Sequence, residues 1–250
     1  MHQRTPSLLR DIRRESTLRH RTAVLHNKYE GETAFVFSCG PSLSDVWSDK
    51  VLAGLDGRFT VAVKAAYKKV RELQPDMYWF NPIRIPKLDC PCNPDTIRVS
   101  SSNPTNPHNL DLFHHGCDLF YPLDVTTPDR TLLATHAFDT AVLPPPGNLV
   151  PLRPWGAGIL LDMGLFILMY MGFKRIIVVG WDMGKESYTH FYDQENLIDS
   201  ESIRVESEYS QRAAPVLVSW MAKKGVELRL CSPQSVLSIP QVSVDQMLEL

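Results

Sequence analysis

The amino-acid sequence predicts an α/β protein: a mostly parallel, doubly wound, Rossmann-like sheet with helices on both faces and a proline-rich insertion. Three observations carry this. Short apolar runs alternate with helical patterns at both ends of the chain. The runs are continuously apolar and rich in β-branched and aromatic residues, as strands covered on both faces are. Several of them stop at a glycine, or at a residue before proline, where a turn begins.

The first strand is 34–38, Ala-Phe-Val-Phe-Ser. Gly40-Pro41 ends it, and Ser42 opens a helix to about Leu52 with Trp47 and Val51 facing the core. Phe59–Val63 is the second strand and Lys64 closes it; a helix with Tyr67 and Val70 follows and ends near Gln74-Pro75. Asp76–Phe80 is the third strand, stopped by Asn81-Pro82. Gly156-Ala157-Gly158 introduces a long apolar helix to Met171, terminated by Gly172. Lys174–Asp182, with its β-branched run before Gly180, is a central parallel strand. Residues 183–200 are polar and irregular, 201–224 form an amphipathic helix, and 226–231 form the last strand. Ser232-Pro-Gln-Ser235 begins a final short helix or turn.

Residues 1–32 read as a basic, helical N-terminal segment and 33–250 as a single nucleotide-binding transferase domain. Arg10, Arg13, Arg14, Arg19 and Arg21 form either a solvated helix face or a patch for an acidic ligand or partner. Residues 82–154 are a loop-rich insertion with short strands at Thr96–Ser100 and Leu119–Tyr121, serving as a lid, a substrate wall or surface decoration.

Composition narrows the class. With 44% apolar and 22% charged residues the chain is a soluble globule, and a net charge of -2 does not mark a nucleic-acid or membrane-surface partner. The most apolar stretch, Gly158–Met171, carries Asp162 and falls short of the roughly 20 residues a membrane span needs, so no transmembrane segment is expected. Arginines interrupt any signal-peptide pattern at the N-terminus. The five cysteines read as reduced thiols of a cytoplasmic protein. Cys90, Cys92, His108, His114, His115 and Cys117 match no common zinc spacing, and no metal or tightly bound cofactor is expected. A homo-oligomer is compatible with all of this.

In an open parallel sheet, ligands bind at the carboxyl ends of the strands. Gly40-Pro41-Ser42, Lys64, Asn81 and Gly180-Trp181-Asp182 should therefore rim one crevice. Glycine turns let a backbone approach a ligand, and helix starts offer N–H groups to a phosphate, which makes the Ser42 and Gly156–Gly158 helix starts candidate anion sites. Asp182 suits ribose hydroxyls, Asn81 a base edge or sugar hydroxyl, and Lys64 a phosphate; each also has an ordinary turn or surface role. His190 is the candidate general base, and Tyr188 or Tyr192 a hydrogen-bond donor to a leaving phosphate. No Walker, Gly-x-Gly-x-x-Gly or Gly-x-Ser-x-Gly motif is present, which argues against a P-loop kinase, a standard dinucleotide dehydrogenase and an α/β-hydrolase.

Phe37-Ser-Cys-Gly-Pro-Ser-Leu43, Tyr78-Trp-Phe-Asn-Pro82, Gly156 to Asp182 and Leu230-Cys-Ser-Pro-Gln-Ser235 resemble blocks of the bacterial family 42 sialyltransferases. The first and third are also similar to the 6-hydroxymethylpterin diphosphokinase-like family, and Gly184-Lys-x-x-Tyr-Thr-His190 is nearer to that group. The resemblance implies that Gly40, Ser42, Asn81, Gly158, Gly180 and Asp182 bind a nucleotide. Lys64 departs from it, standing where the sialyltransferases have an Asn, and their catalytic His lies further downstream than His190. The implied function is transfer of a sugar from a CMP-activated donor to a small-molecule or glycan acceptor, without metal. The alternatives are a diphosphokinase using ATP and Mg²⁺, and a non-catalytic nucleotide-binding module.

Overall fold

Apolar residues on both sides of each strand require cover on both faces, and the fold supplies it. The structure, a computed structural model, describes residues 1–80, 93–102, 117–124, 153–154, 158–184 and 200–250. Among these residues eight strands form one sheet: β1 (Thr33–Phe37), β2 (Phe59–Val63), β3 (Met77–Phe80), β4 (Ile97–Ser102), β5 (Leu119–Asp124), β6 (Arg153–Pro154), β7 (Arg175–Val179) and β8 (Glu227–Leu230). Their order is β6-β5-β4-β3-β2-β1-β7-β8, and every ladder is parallel. The expected Rossmann-like α/β architecture is the observed one. Three strands from the proline-rich stretch 82–154 extend the sheet beyond β3.

Alternate residues divide between two cores, as the period of a strand requires. Ala34, Val36, Val61, Met77, Trp79, Ile176 and Val178 enter one. Phe35, Phe37, Ala62, Tyr78, Phe80, Ile177 and Val179 enter the other. The first core is covered by α1 (Thr5–Arg14), the helix α6 (Leu165–Tyr170) and the long α7 (Ser200–Lys223). A helical segment, α2 (Leu18–Val24), follows α1. The second core is covered by α3 (Ser42–Val46), α4 (Asp49–Gly54), α5 (Ala66–Val70) and α8 (Val244–Glu249).

Several helices differ from expectation for local reasons. The basic segment is two helices, because Glu15 turns extended and Thr17 caps α2 by accepting from the His20 N–H at 3.2 Å. The helix expected over 42–52 breaks at Trp47, and the Ser48 hydroxyl restarts it by accepting from the Val51 N–H. Val51 is fully buried, while Trp47 sits at the break with its ring edge-on to Phe37. The long apolar helix opens with a π turn over Leu160–Gly164 before α6. Gly172, at φ +91°, ends it in a Schellman motif, with Phe173 N–H on the Leu168 carbonyl and Gly172 N–H on that of Met169. Ser232–Ser235 is the turn of the two alternatives, with Ser235 N–H on the Ser232 carbonyl at 2.9 Å, and a last helix begins at Val244, set by a capping box between Ser243 and Gln246.

The N-terminal segment is tied to the amino-terminal edge of the sheet by a buried acid. Asp76 accepts from the His2 N–H (2.7 Å), the Thr5 hydroxyl (2.6 Å) and the Thr60 N–H (2.7 Å). Two of the arginines have structural tasks: Arg13 Nε meets Asp118 Oδ1 at 2.8 Å, and Arg21 donates to the Asp118 carbonyl. Cys117, from the imagined zinc cluster, donates its thiol to the Leu119 carbonyl, and burial pushes its pKa up to about 12. The other residues of that cluster lie outside the described residues.

Candidate functional site

The strand order reverses once. From β1 the chain builds outward through β2 to β6, then returns to add β7 and β8 on the other side of β1. The helix after β1 covers one core and the helix after β7 covers the other. Between the carboxyl ends of β1 and β7 lies the topological switch point, where sheets of this type open a crevice. The turn 38–42 and the segment 180–184 stand as walls on either side of the switch point.

Hydrogen bonds join the walls at depth. Ser38 N–H donates to the Val179 carbonyl and Gly40 N–H to the Gly180 carbonyl, each at 2.8 Å. Asp182 Oδ2 then accepts from the Ser42 N–H at 2.8 Å. Gly40 is glycine because of this packing: a side-chain carbon there would lie 2.3 Å from Asp182 Oδ2 and 2.6 Å from the Gly180 carbonyl oxygen. Gly180 adopts φ +75°, and a side chain on it would meet the Ser38 carbonyl oxygen at 2.7 Å.

Asp182 is 1% exposed, and its second oxygen, Oδ1, is enclosed without a hydrogen-bond partner among the described residues. Burial pushes this carboxyl above the ordinary carboxylate range. The Ser42 hydroxyl and N–H oppose the shift, and the charge of Asp45 adds to it. The geometry therefore gives Asp182 a bracing task. It occupies the Ser42 N–H that the sequence offered to a phosphate, and α3 behind that N–H is only five residues long. The carboxylate expected to face ribose hydroxyls points instead into the turn.

The segment after β8 completes the brace, a contribution that sequence reasoning missed. Ser232 Oγ accepts from the Gly180 N–H (2.8 Å) and the Trp181 N–H (3.2 Å). Gln234 N–H donates to Ser42 Oγ at 3.0 Å, and the Ser235 hydroxyl donates to the Trp181 carbonyl. The signal was a Ser-Pro-Gln-Ser turn directly after the strand that neighbours β7.

The expected site residues fall into four groups. Gly40, Ser42, Gly180 and Asp182 are buried together, and Pro41 is half-buried beside them. Lys64, half-buried at the end of β2, holds a left-handed backbone at φ +48° and donates its N–H to the Trp79 carbonyl at 2.7 Å. Gly158, at φ +96°, begins the helix that runs back to the amino-terminal edge; Ile159, Leu160 and Leu161 pack into the first core, and Gly164 seats on the Trp79 ring. Ser42 packs with the second core, so the two helix starts belong to opposite faces of the sheet. Asn81, Gly156, Ala157, Tyr188 and His190 lie outside the described residues. Among those described, Ser38, Pro41, Lys64, Gly158, Met183 and Gly184 are half-buried rather than enclosed. No helix among the described residues is long and apolar enough to cross a membrane.

No protein-family model matches the chain, and no curated protein sequence matches it. Among solved structures, it is similar to the Maf glycosyltransferase of Magnetospirillum magneticum AMB-1, with 13% identity, a TM-score of 0.49, and 88% of this chain and 35% of that one covered. The chain thus spans about a third of that protein's length. It is also similar to the sialyltransferase CstII from Campylobacter jejuni, solved in complex with a substrate analogue, cytidine-5'-monophosphate (12% identity, TM-score 0.41, 86% of each chain). A third similar structure is a mammalian sialyltransferase in complex with Gal-beta-1-3GalNAc-ortho-nitrophenol (9% identity, TM-score 0.38, 91% of this chain and 86% of that one).

Proposed function

We propose that the chain is a nucleotide-dependent glycosyltransferase of sialyltransferase-like type, taking its sugar from a CMP-activated donor. The observation that carries the reading is the braced turn at the switch point between β1 and β7. It stands where ligands bind in such sheets, and it is built from the residues whose sequence blocks resemble the family 42 enzymes. On this reading Asp182, Ser42 and Ser232 hold the turn rigid, so the donor meets a preformed surface at the half-buried Ser38, Pro41, Met183 and Gly184. Lys64 supplies a point charge to the donor phosphate. Asn81 contacts the nucleotide.

In the transfer step the acceptor oxygen bonds to the anomeric carbon, and the bond from that carbon to the phosphate oxygen breaks. The acceptor proton passes to His190, and CMP leaves with the electron pair, steadied by a hydrogen bond from Tyr188. The roles of Asn81, His190 and Tyr188 rest on the sequence resemblance and on their places after β3 and Asp182. Positioning and electrostatics supply the catalysis, with no metal needed.

The test is a set of melting curves with CMP, ATP and GTP, each with and without Mg²⁺. Stabilisation by CMP without metal supports the proposal; stabilisation by ATP that requires Mg²⁺ overturns it in favour of the kinase. A His190→Ala chain that transfers sugar at the unaltered rate removes His190 as the base.

A further inference from the structure

A hollow lies at the other end of the sheet, away from the switch point between β1 and β7. It encloses about 340 Å³, within the range of small-molecule sites. Its position is fixed by the links into three strands: His26 precedes β1, Lys174 precedes β7, and Val226 precedes β8.

The walls are aromatic. Phe166 and Tyr170 project from α6, Trp220 from α7, and His26 from the link after α2. They stand in two contacting pairs, His26 with Tyr170 (ring centroids 4.9 Å apart) and Phe166 with Trp220 (5.8 Å). The backbone behind them is fastened. Asn27, Tyr29 and Gly31 donate their N–H groups to the carbonyls of Tyr170, Met171 and Gly172, at 3.0, 2.8 and 3.0 Å. A hollow backed in this way is preformed, which lowers the cost of ordering it around a ligand.

The hollow is also charged. Lys174 and Lys224 line it, and among the described residues neither ammonium forms an ion pair. Lys224 Nζ stands over the Trp220 ring, 6.0 Å from its centre, at the outer limit of a cation–π contact. Glu30 is the one acidic residue of the lining, which leaves an excess of one positive charge. Flat aromatic walls beside a net cation suit a ligand with a ring system and one acid group.

We propose that this hollow is a binding site for a small aromatic monoanion, its rings against Trp220 and Tyr170 and its acid group on Lys174 and Lys224. The site is separate from the crevice between β1 and β7, and it does not depend on the glycosyltransferase reading.

The test uses 2-naphthoate as probe, titrated calorimetrically into the full chain. Binding at one site per chain is expected, with the neutral 2-naphthol at least tenfold weaker. Both lysines are exposed, so Lys174→Met with Lys224→Met leaves the core intact. That double variant should bind 2-naphthoate at least tenfold more weakly, with an unchanged melting temperature. Trp220→Phe should remove most of the fluorescence quenching that the probe causes. Asp182→Asn, at the other end of the sheet, should leave the probe's affinity unaltered. Absence of binding at millimolar probe overturns the proposal. So does equal affinity for 2-naphthol, or an affinity that the lysine variant leaves unchanged.

Discussion

Replacing Gly40 with alanine should loosen the whole switch-point turn, and the size of the effect follows from the packing. The added carbon would stand 2.3 Å from Asp182 Oδ2, 2.9 Å from Asp182 Cγ and 2.6 Å from the Gly180 carbonyl oxygen. None of these atoms is a mobile tip. Asp182 is 1% exposed and holds the Ser42 N–H, and the Gly180 carbonyl accepts from the Gly40 N–H. To reach an ordinary contact the neighbours must retreat by about 1 Å. Overpacking of a well-filled interior costs about 1–3 kcal/mol. Separating Asp182 from Ser42 leaves a buried N–H unpaired, for about 1–3 kcal/mol more. A joint loss of about 3 kcal/mol lowers the melting temperature of a chain of this size by about 6–12 °C. Scanning calorimetry of Gly40→Ala measures it. Combination with Asp182→Ala gives a double-mutant cycle in which the two changes should couple by at least about 1 kcal/mol, since the carboxylate is the nearest obstacle. A melting temperature within about 2 °C of the parent, or fully additive changes, would refute the claim that glycine at 40 exists to admit the Asp182 brace.

Three further outcomes follow from the same contacts. Folding raises the Asp182 carboxyl above its ordinary value of 3.8, so the folded chain keeps a proton that the unfolded chain has lost; this group's contribution is therefore fullest below 3.8 and is lost as pH rises through the folded value. Urea denaturation across that window should show the stability of wild type relative to Asp182→Asn decreasing as pH rises, and a flat or rising difference contradicts the assignment. Ser232→Ala removes the acceptor of two N–H groups, on Gly180 and Trp181, at a site with 0% exposure; a loss of about 2–4 kcal/mol in urea denaturation is expected, and a loss under 0.5 kcal/mol (~0.5, the level of a neutral surface change) contradicts the brace. Asp76→Asn places an amide where the carboxylate accepts from His2, Thr5 and Thr60; a loss of about 2–4 kcal/mol is expected, with faster amide exchange in α1, and unchanged exchange there would show that Asp76 does not anchor the N-terminal helix.

The sheet was legible in the sequence because each central strand is buried on both faces. A run such as Phe59–Val63 or Arg175–Val179 can hardly be anything else between two turn signals. The strand ends were legible too, and with them the edge on which Gly40, Lys64 and Gly180 lie. What a single sequence hides is the direction of a side chain. Asp182 at a strand end fits both a ligand-facing acid and an inward brace, and only the 2.8 Å contact with Ser42, 140 residues away in the chain, separates the two. Ser232 is hidden in the same way, 52 residues from Gly180. Helix continuity was misread where a hydroxyl intervened: Ser48 and Thr17 restart helices that an apolar pattern alone would run through. The capping box at Ser243 and Gln246 was a readable signal that went unused. Arg13 and Arg21 look like a surface charge run until Asp118, about a hundred residues on, is brought beside them.

On the proposed function, a nucleoside phosphate lies at the switch point between β1 and β7. A crystal structure of the chain grown with CMP tests it most directly. The account places CMP at the carboxyl end of the sheet, against the turn 38–42 and the segment 180–184, with the Asp182–Ser42 contact intact behind it. CMP bound at any other edge of the sheet, or seated only after that contact has broken, would contradict it.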